Sequence, residues 1–338
     1  MKKIILLLAM IAAAQVVLIG INWKGNRPLV SQVERSEMLS FERQHVDGLV
    51  IYGEGEELVL SKTASGWHTA DGFPADKDKI DGLLLRLKDL QFGMPVATSA
   101  EALRRFKVAD DLFNRRVQLK EGDTLVVDFY LGTGAGARRS HVRRADQDAV
   151  YAVDLGHYDL PVAVDEWQDK KVLQFKEDEV AGLTAEDIQL NRVVHPAKDE
   201  EPEKVNWVAA NSGTAQVNEE QVNACVSGLA RLSISKVLGD TAPEIDEKAA
   251  ALSLDLELDK STRQYRFNKI KGEAGYLLKV SDFEEYFELE NYVVNPLLEQ
   301  CAGAEWIAPK EVQKEVQEEV SEEQQENSDS AGPQLQEE

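Results

Sequence analysis

Hydrophobic positions in this chain follow two periods, and the same succession of the two occurs twice. Residues 46–51 and 57–60 alternate apolar and polar side chains, as strands do when one face is buried. With Ser65-Gly66-Trp67-His68 following behind polar punctuation, this stretch reads as a strand, a turn and a second strand. Phe73-Pro74-Ala75-Asp76 then leads into Ile80, Leu83, Leu84, Leu87 and Leu90, one stripe of a helix that Asp76 is placed to N-cap. A stripe of five aliphatic side chains has to lie against a sheet, because a helix of about four turns is marginal alone in water.

The second half repeats this order. Residues 188–194 and 204–208 are candidate strands, the latter carrying Trp207, and Gln216-Val217-Asn218 stands where Pro74-Ala75-Asp76 stood. Asn218 with Gln221 makes a capping-box pattern. Val222, Cys225, Val226, Leu229 and Leu232 each follow their counterpart in the first stripe by 142 residues. Four strand-like segments follow each helix: 117–119, 124–131, 141–143 and 149–153 in the first copy, 254–258, 264–267, 275–280 and 286–289 in the second. Tyr151 precedes Pro161 by the spacing that separates Tyr286 from Pro296. Short polar turns between such strands predict antiparallel pairing. The expected fold is α+β: two tandem repeats, residues 40–171 and 183–304, each an antiparallel sheet with one packed helix in the order hairpin, helix, meander.

The start of the chain changes the setting. Met1-Lys2-Lys3 precedes an apolar run from Ile4 to Ile21, interrupted by Gln15 and Gly20 and followed by Asn22-Trp23-Lys24. Eighteen residues of helix span about 27 Å, close to the hydrocarbon thickness of a bilayer. The lysines favour the cytoplasmic side, and Trp23 suits the interface. Residues 1–24 are therefore read as a transmembrane signal-anchor. The alternative is a cleaved signal peptide with Ala12-Ala13-Ala14 as its small-residue site, although Val16-Val17-Leu18-Ile19 carries the apolar run past that point. Either way the bulk is expected beyond the membrane, in the periplasm of a bacterium with the anchor in its inner membrane.

Thirty-eight basic against 61 acidic side chains give a net charge of −23, which repels a phosphate backbone and argues against nucleic acid as a partner. Residues 310–338 hold ten of those acids and two lysines, and read as a disordered acidic tail. Cys225 and Cys301 are open to two readings, one disulfide in an oxidising compartment or two buried thiols.

No catalytic pattern stands in its required context. Gly132-Thr-Gly134-Ala-Gly136 lacks the third glycine of a dinucleotide fingerprint, since Arg139 occupies that place, and a strand rather than a helix follows. It reads as a hairpin turn. Ser233-Ile-Ser235-Lys236 matches S-x-x-K without the companion S-D-N and K-T-G elements. His45, His68, His141, His157 and His195 show no metal-ligand spacing. Neither catalytic residues, metal nor cofactor is expected.

One feature runs against the acidic background. Arg138, Arg139, His141, Arg143 and Arg144 cluster at the glycine hairpin, with Arg104, Arg105, Arg115 and Arg116 upstream. Alternation along a strand sets Arg139, His141 and Arg143 on one face, a candidate surface for an anion or an acidic partner. The plain reading is a solvated strand paired with nearby carboxylates.

Gly66-Trp67, Pro74-Ala75-Asp76, the leucine-striped helix, His141-Val142-Arg143, Val150-Tyr151 and Trp167-Gln-Asp169-Lys170 together resemble domain-of-unknown-function family 4340. The resemblance covers about residues 40–171 well and the second repeat weakly, where Trp207 persists. It implies a single-span bacterial protein with its bulk in the periplasm, in a setting of ABC transporters of the gliding-motility auxiliary type, and it supplies no catalytic residues. Physically these landmarks read as structure: Trp67 an anchor beside the helix, Pro74 a fixed entry, Asp76 a cap, and Trp167 with Asp169 and Lys170 the closure of the first repeat. The function expected from all this is that of a non-catalytic, membrane-anchored periplasmic interaction protein, an auxiliary subunit of an ABC-type transport complex. The alternative is an envelope hydrolase or ligand-binding receptor with a site between the two repeats.

Overall fold

The computed structural model describes residues 15, 36–195, 204–210, 216–248 and 252–307. Residue 15 apart, the apolar run at 4–21 lies outside the described residues, as does the acidic tail at 310–338. Among those described, no helix is long and apolar enough to cross a membrane. The chain divides into two compact units between Trp167 and Gln168, so Trp167 belongs to the first and Asp169 and Lys170 to the second.

The first unit runs β1 (Ser36–Glu37), β2 (Gly48–Tyr52), β3 (Glu57–Thr63), β4 (Gly66–Thr69), α1 (Lys77–Lys88), β5 (Gln91–Phe92), α2 (Ala100–Arg105), β6 (Val108–Ala109), β7 (Leu112–Phe113), β8 (Arg115–Glu121), β9 (Thr124–Gly134), β10 (Ser140–Arg144) and β11 (Val150–Val153). The second runs β12 (Val180–Ala185), β13 (Ile188–His195), β14 (Lys204–Ala209), α3 (Glu219–Ala230), β15 (Lys236–Gly239), β16 (Leu252–Leu258), β17 (Ser261–Lys269), β18 (Tyr276–Val280), β19 (Tyr286–Leu289) and α4 (Asn291–Gln300). Both are α+β with antiparallel sheets. The first main sheet has the order β11-β10-β9-β8-β2-β3-β4, and the second β15-β19-β18-β17-β16-β12-β13-β14. With β15 set aside, the two orders correspond strand for strand. Each opens on three strands rather than the expected hairpin. In the second unit the unforeseen strand is β12, whose Gly182 and Thr184 blur its alternation.

The stripes do what their spacing demands. Ile80, Leu83, Leu84 and Leu87 of α1 are buried in a cluster with Leu49, Ile51, Leu58, Leu60 and Trp67. Val222, Cys225, Val226 and Leu229 are the buried face of α3. Full burial of such side chains is worth roughly 1.5–3 kcal/mol each. The caps match as well: Asp76 Oδ1 accepts the Lys79 N–H at 3.0 Å, and Asn218 Oδ1 accepts the Gln221 N–H at 3.3 Å.

A second correspondence was invisible in the pattern. The Asp76 N–H donates to the Trp167 carbonyl at 2.7 Å, and the Asn218 N–H to the Trp306 carbonyl at 2.8 Å. Trp167 Nε1 donates to the Pro161 carbonyl and Trp306 Nε1 to the Gln300 carbonyl, both at 2.9 Å and both six residues upstream. Both indoles are fully buried. One closing tryptophan per unit thus ties a late segment of the unit to the start of its helix, and Trp306, not singled out from the sequence, is the counterpart of Trp167. The strand registers also shift the tyrosine correspondence by one place. Tyr151 faces the core, and so does Phe287, whereas Tyr286 is half-buried.

Candidate interaction site

The basic cluster sits on the face of the first sheet opposite α1. Val142 of β10 points into the main core, so His141 and Arg143 point the other way. That face is not bare. Residues 100–113 cross it, and Val108, Tyr130 and Val150 form a second small core with Phe106 and Phe113 packed on it. Gly132 is what lets the cover approach, since a Cβ there would lie 1.9 Å from the Phe106 carbonyl oxygen.

Beneath the cover Arg143 is only 3 % exposed. Its Nε donates to the Val108 carbonyl at 2.6 Å, one terminal nitrogen to the Gln147 carbonyl at 3.1 Å, and the other to the Asp110 carboxylate. Its guanidinium lies 4.5 Å from the Tyr130 ring centroid. The hydrogen bond from Arg143 pulls the Asp110 carboxyl below its ordinary range, and burial pushes the Tyr130 phenol up. Arg116 grips Asp128 through two hydrogen bonds of 2.9 and 2.6 Å. Arg144 holds Asp146 the same way, which lowers that carboxyl too. Arg104 pairs with Asp111, and Arg115 donates to the carbonyls of Leu160 and Asn114. His141 stacks on Phe106 at 4.0 Å, with Nδ1 3.0 Å from the Thr133 hydroxyl. Most of the expected cations are thus spent on neighbours within the unit.

Two remain apart. Arg138, at φ 58°, and Arg139 occupy the exposed hairpin turn, and neither forms an ion pair among the described residues. Arg139 donates from its guanidinium to the Ala152 carbonyl, on the edge strand β11. There it borders a groove of about 800 Å³ whose lining includes the apolar Phe92, Met94, Val96 and Val153 and the charged Arg86, Asp89 and Asp154. Met94 is 75 % exposed and Val96 49 %.

The edge of β11 is paired at one point only. The Val150 N–H donates to the Ala97 carbonyl and the Val96 N–H to the Val150 carbonyl, both at 2.8 Å. Because backbone groups alternate sides along a strand, Ala152 points its N–H and C=O the same way, into the groove. In the second unit the equivalent edge is filled. There β15 lies along β19, pairing Gly239 with Tyr286, Val237 with Phe287 and Lys236 with Glu288. The Ser235 N–H donates to the Glu288 carbonyl at 2.8 Å. The numbering that aligns the stripes sets Pro95 against Val237 and Gly93 against Ser235. Among the described residues, 94–97 meet β11 only at the Val150 bridge, whereas 236–239 form a strand along β19. Arg139 supplies the Ala152 carbonyl with the donor that Ser235 gives Glu288.

The remaining expected residues are structural. Cys225 and Cys301 are disulfide-bonded, with Cα atoms 5.0 Å apart. Trp67, Trp167 and Trp207 are buried, Asp76 caps α1, and the Ala75 N–H donates to the Trp67 carbonyl just past Pro74. Asp169 Oδ1 accepts the Lys171 N–H at 2.9 Å. Among the described residues no group of histidine, cysteine and acidic side chains is arranged to hold a metal ion.

No curated protein and no solved structure matches this chain. One family model does, that of a "Domain of unknown function (DUF4340)", over residues 67–255. The match begins at Trp67 and reaches Asp255 on β16, deeper into the second unit than the landmark residues indicate. Covering more than half of the sequence, it establishes that the chain belongs to this family.

Proposed function

We propose that the chain is a membrane-tethered, non-catalytic interaction subunit on the export side of the bacterial inner membrane, docking a partner polypeptide within an ABC-type transport assembly. The observation that carries this reading is the groove beside β11, a largely apolar trough with open backbone groups at Ala152 and, in Arg139, an arginine without an ion pair among the described residues. Troughs of that composition suit a chain segment, whereas small-molecule sites converge several polar groups on an enclosed pocket. The Cys225–Cys301 disulfide accords with an oxidising compartment, and the apolar run at 4–21 with a tether. The transport setting comes from the family resemblance.

Purification of the full chain from membranes in mild detergent, followed by mass spectrometry, tests the reading. The expected result is recovery of ABC-type permease or ATPase subunits in fixed proportion. A clean monomer that hydrolyses an envelope substrate overturns it.

A further inference from the structure

We infer that the open edge of β11 takes up an extended, acidic segment of a partner polypeptide as an added antiparallel strand. This deepens the reading of the chain as an interaction subunit and rests on it. The argument is internal to the molecule. The second unit shows what belongs at this edge, because β15 sits there antiparallel to β19 and satisfies the Glu288 carbonyl with the Ser235 N–H. The first unit has the same strand order and the same helix, but among the described residues no eighth strand lies along β11. What is left is a groove with Ala152 backbone groups turned into it and the Arg139 guanidinium donating to the Ala152 carbonyl.

A side-chain donor is exchangeable in a way that a backbone ladder is not. An incoming strand offers the Ala152 carbonyl an N–H and the Ala152 N–H a carbonyl, which frees Arg139 to meet the strand's own side chain. Alternation then sets one row of that strand over Phe92 and Val96 and presents the other toward Arg138 and Arg139. Two cations without carboxylate partners select an acidic residue in that row. A second copy adding its own β11 would oppose two such arginine pairs, and like charges across a strand pair repel. A partner's acidic, apolar-alternating segment fits where a second copy does not.

The test uses the full-length chain in detergent and a fluorescently labelled peptide of alternating valine and glutamate, with a valine–lysine peptide as control. The acidic peptide is expected to bind and to protect the Ala152 amide from hydrogen exchange, and the lysine peptide to fail. Ala152→Pro removes an N–H that no ladder bond of the unit uses, and is expected to weaken binding at least about tenfold, a backbone hydrogen bond's worth. Arg139→Ser, an exposed change that leaves the core untouched, is expected to do the same and to flatten the salt dependence. Undiminished binding in both variants, or none at about 1 mM peptide, overturns the inference. So does dimerisation of the chain that Ala152→Pro abolishes, or a gain in peptide affinity when residues 310–338 are removed, since a second copy or the tail would then be the occupant. A chain that binds the peptide through this edge but recovers no transport subunit supports the docking edge and retires only the transport assignment. Transport subunits that still co-purify with both variants place the partner elsewhere and retire the edge.

Discussion

The two units hold their helices to the rest of the fold by different chemistry. In the first, Arg86 of α1 reaches Asp159 and Asp154, and Lys79 donates to the Glu166 carbonyl at 2.6 Å while lying 4.9 Å from the Trp167 ring centroid. In the second, Gly228 takes the place of Arg86, and a Cβ there would come within 2.6 Å of Leu297. Removing the side chain lets α4 lie directly on α3, and Cys225–Cys301 fastens the pair covalently. Partly exposed ion pairs contribute modestly, and a disulfide closing a long loop contributes more. The frame of backbone bonds around the cap and the closing tryptophan is common to both, while the fastening and the sheet edge differ. The first unit is held more loosely at its periphery and open at β11. The second is stapled and closed.

If that frame is the shared element, its loss should cost both units alike. Trp167→Ala and Trp306→Ala each remove a fully buried indole and its hydrogen bond, and each is expected to destabilise its unit by about 3–5 kcal/mol. Urea titrations read by hydrogen exchange within each unit measure this, and a large effect at one tryptophan with a negligible one at the other would end the equivalence. Reduction of Cys225–Cys301, or its replacement by serine, should separate the units instead. With the cysteines 76 positions apart in the sequence, a loss of about 2–4 kcal/mol is expected in α3 and α4, with the amides of α1 unchanged.

Much of this was legible in the pattern, and where it was not the reason is physical. The stripe at 80–90, its echo at 222–232 and the caps at Asp76 and Asn218 are local signals, and local signals survive without knowledge of neighbours. Arg143 is the counterexample. Its strand reads as a wet, basic face because nothing nearby in sequence says that residues 100–113 fold over it. Trp306 was missed for a similar reason, since its kinship with Trp167 lies in backbone bonds rather than in flanking residues. The open edge, by contrast, had a readable signal. The offset that aligns the stripes puts Pro95 opposite Val237, and a proline at a strand position marks an edge or a gap.

Arg143 also sharpens the comparison, because the cover over it belongs to the first unit. Arg143→Ala leaves the Val108 and Gln147 carbonyls without their donor in a buried place, and about 2 kcal/mol is expected, lost from residues 100–113 and β10 first. Acid should act there in the same sense but more weakly. The Asp110 carboxyl titrates lower in the folded chain than its unfolded value of about 3.9, so its contribution is intact above that pH and fades as pH falls through the folded value. Asp110 is largely exposed, which keeps the effect small. Asp110→Asn should flatten the acid limb of a stability profile, and an unchanged limb would assign that limb to other carboxylates.

The smallest effect on stability bears most directly on the difference between the units. Pro95→Val gives the first unit the residue that the numbering offset sets at Val237 and frees the backbone there from proline's fixed φ, so that residues 93–95 can extend along β11 and bring the Met94 N–H to Ala152. The neighbours already pair, Val96 with Val150 and Val150 with Ala97, so extending the ladder needs little rearrangement. The net change is expected within about 1 kcal/mol, because the new hydrogen bond is set against ordering residues 93–95. Its signature lies elsewhere: slower exchange at the Ala152 amide, release of the Arg139 guanidinium to solvent, and loss of binding to the valine–glutamate peptide. If Ala152 exchanges as fast in Pro95→Val as in the native chain, proline is not what keeps the edge open. The gap would then belong to the path between Phe92 and Ala97, where Gly93 stands in for Ser235.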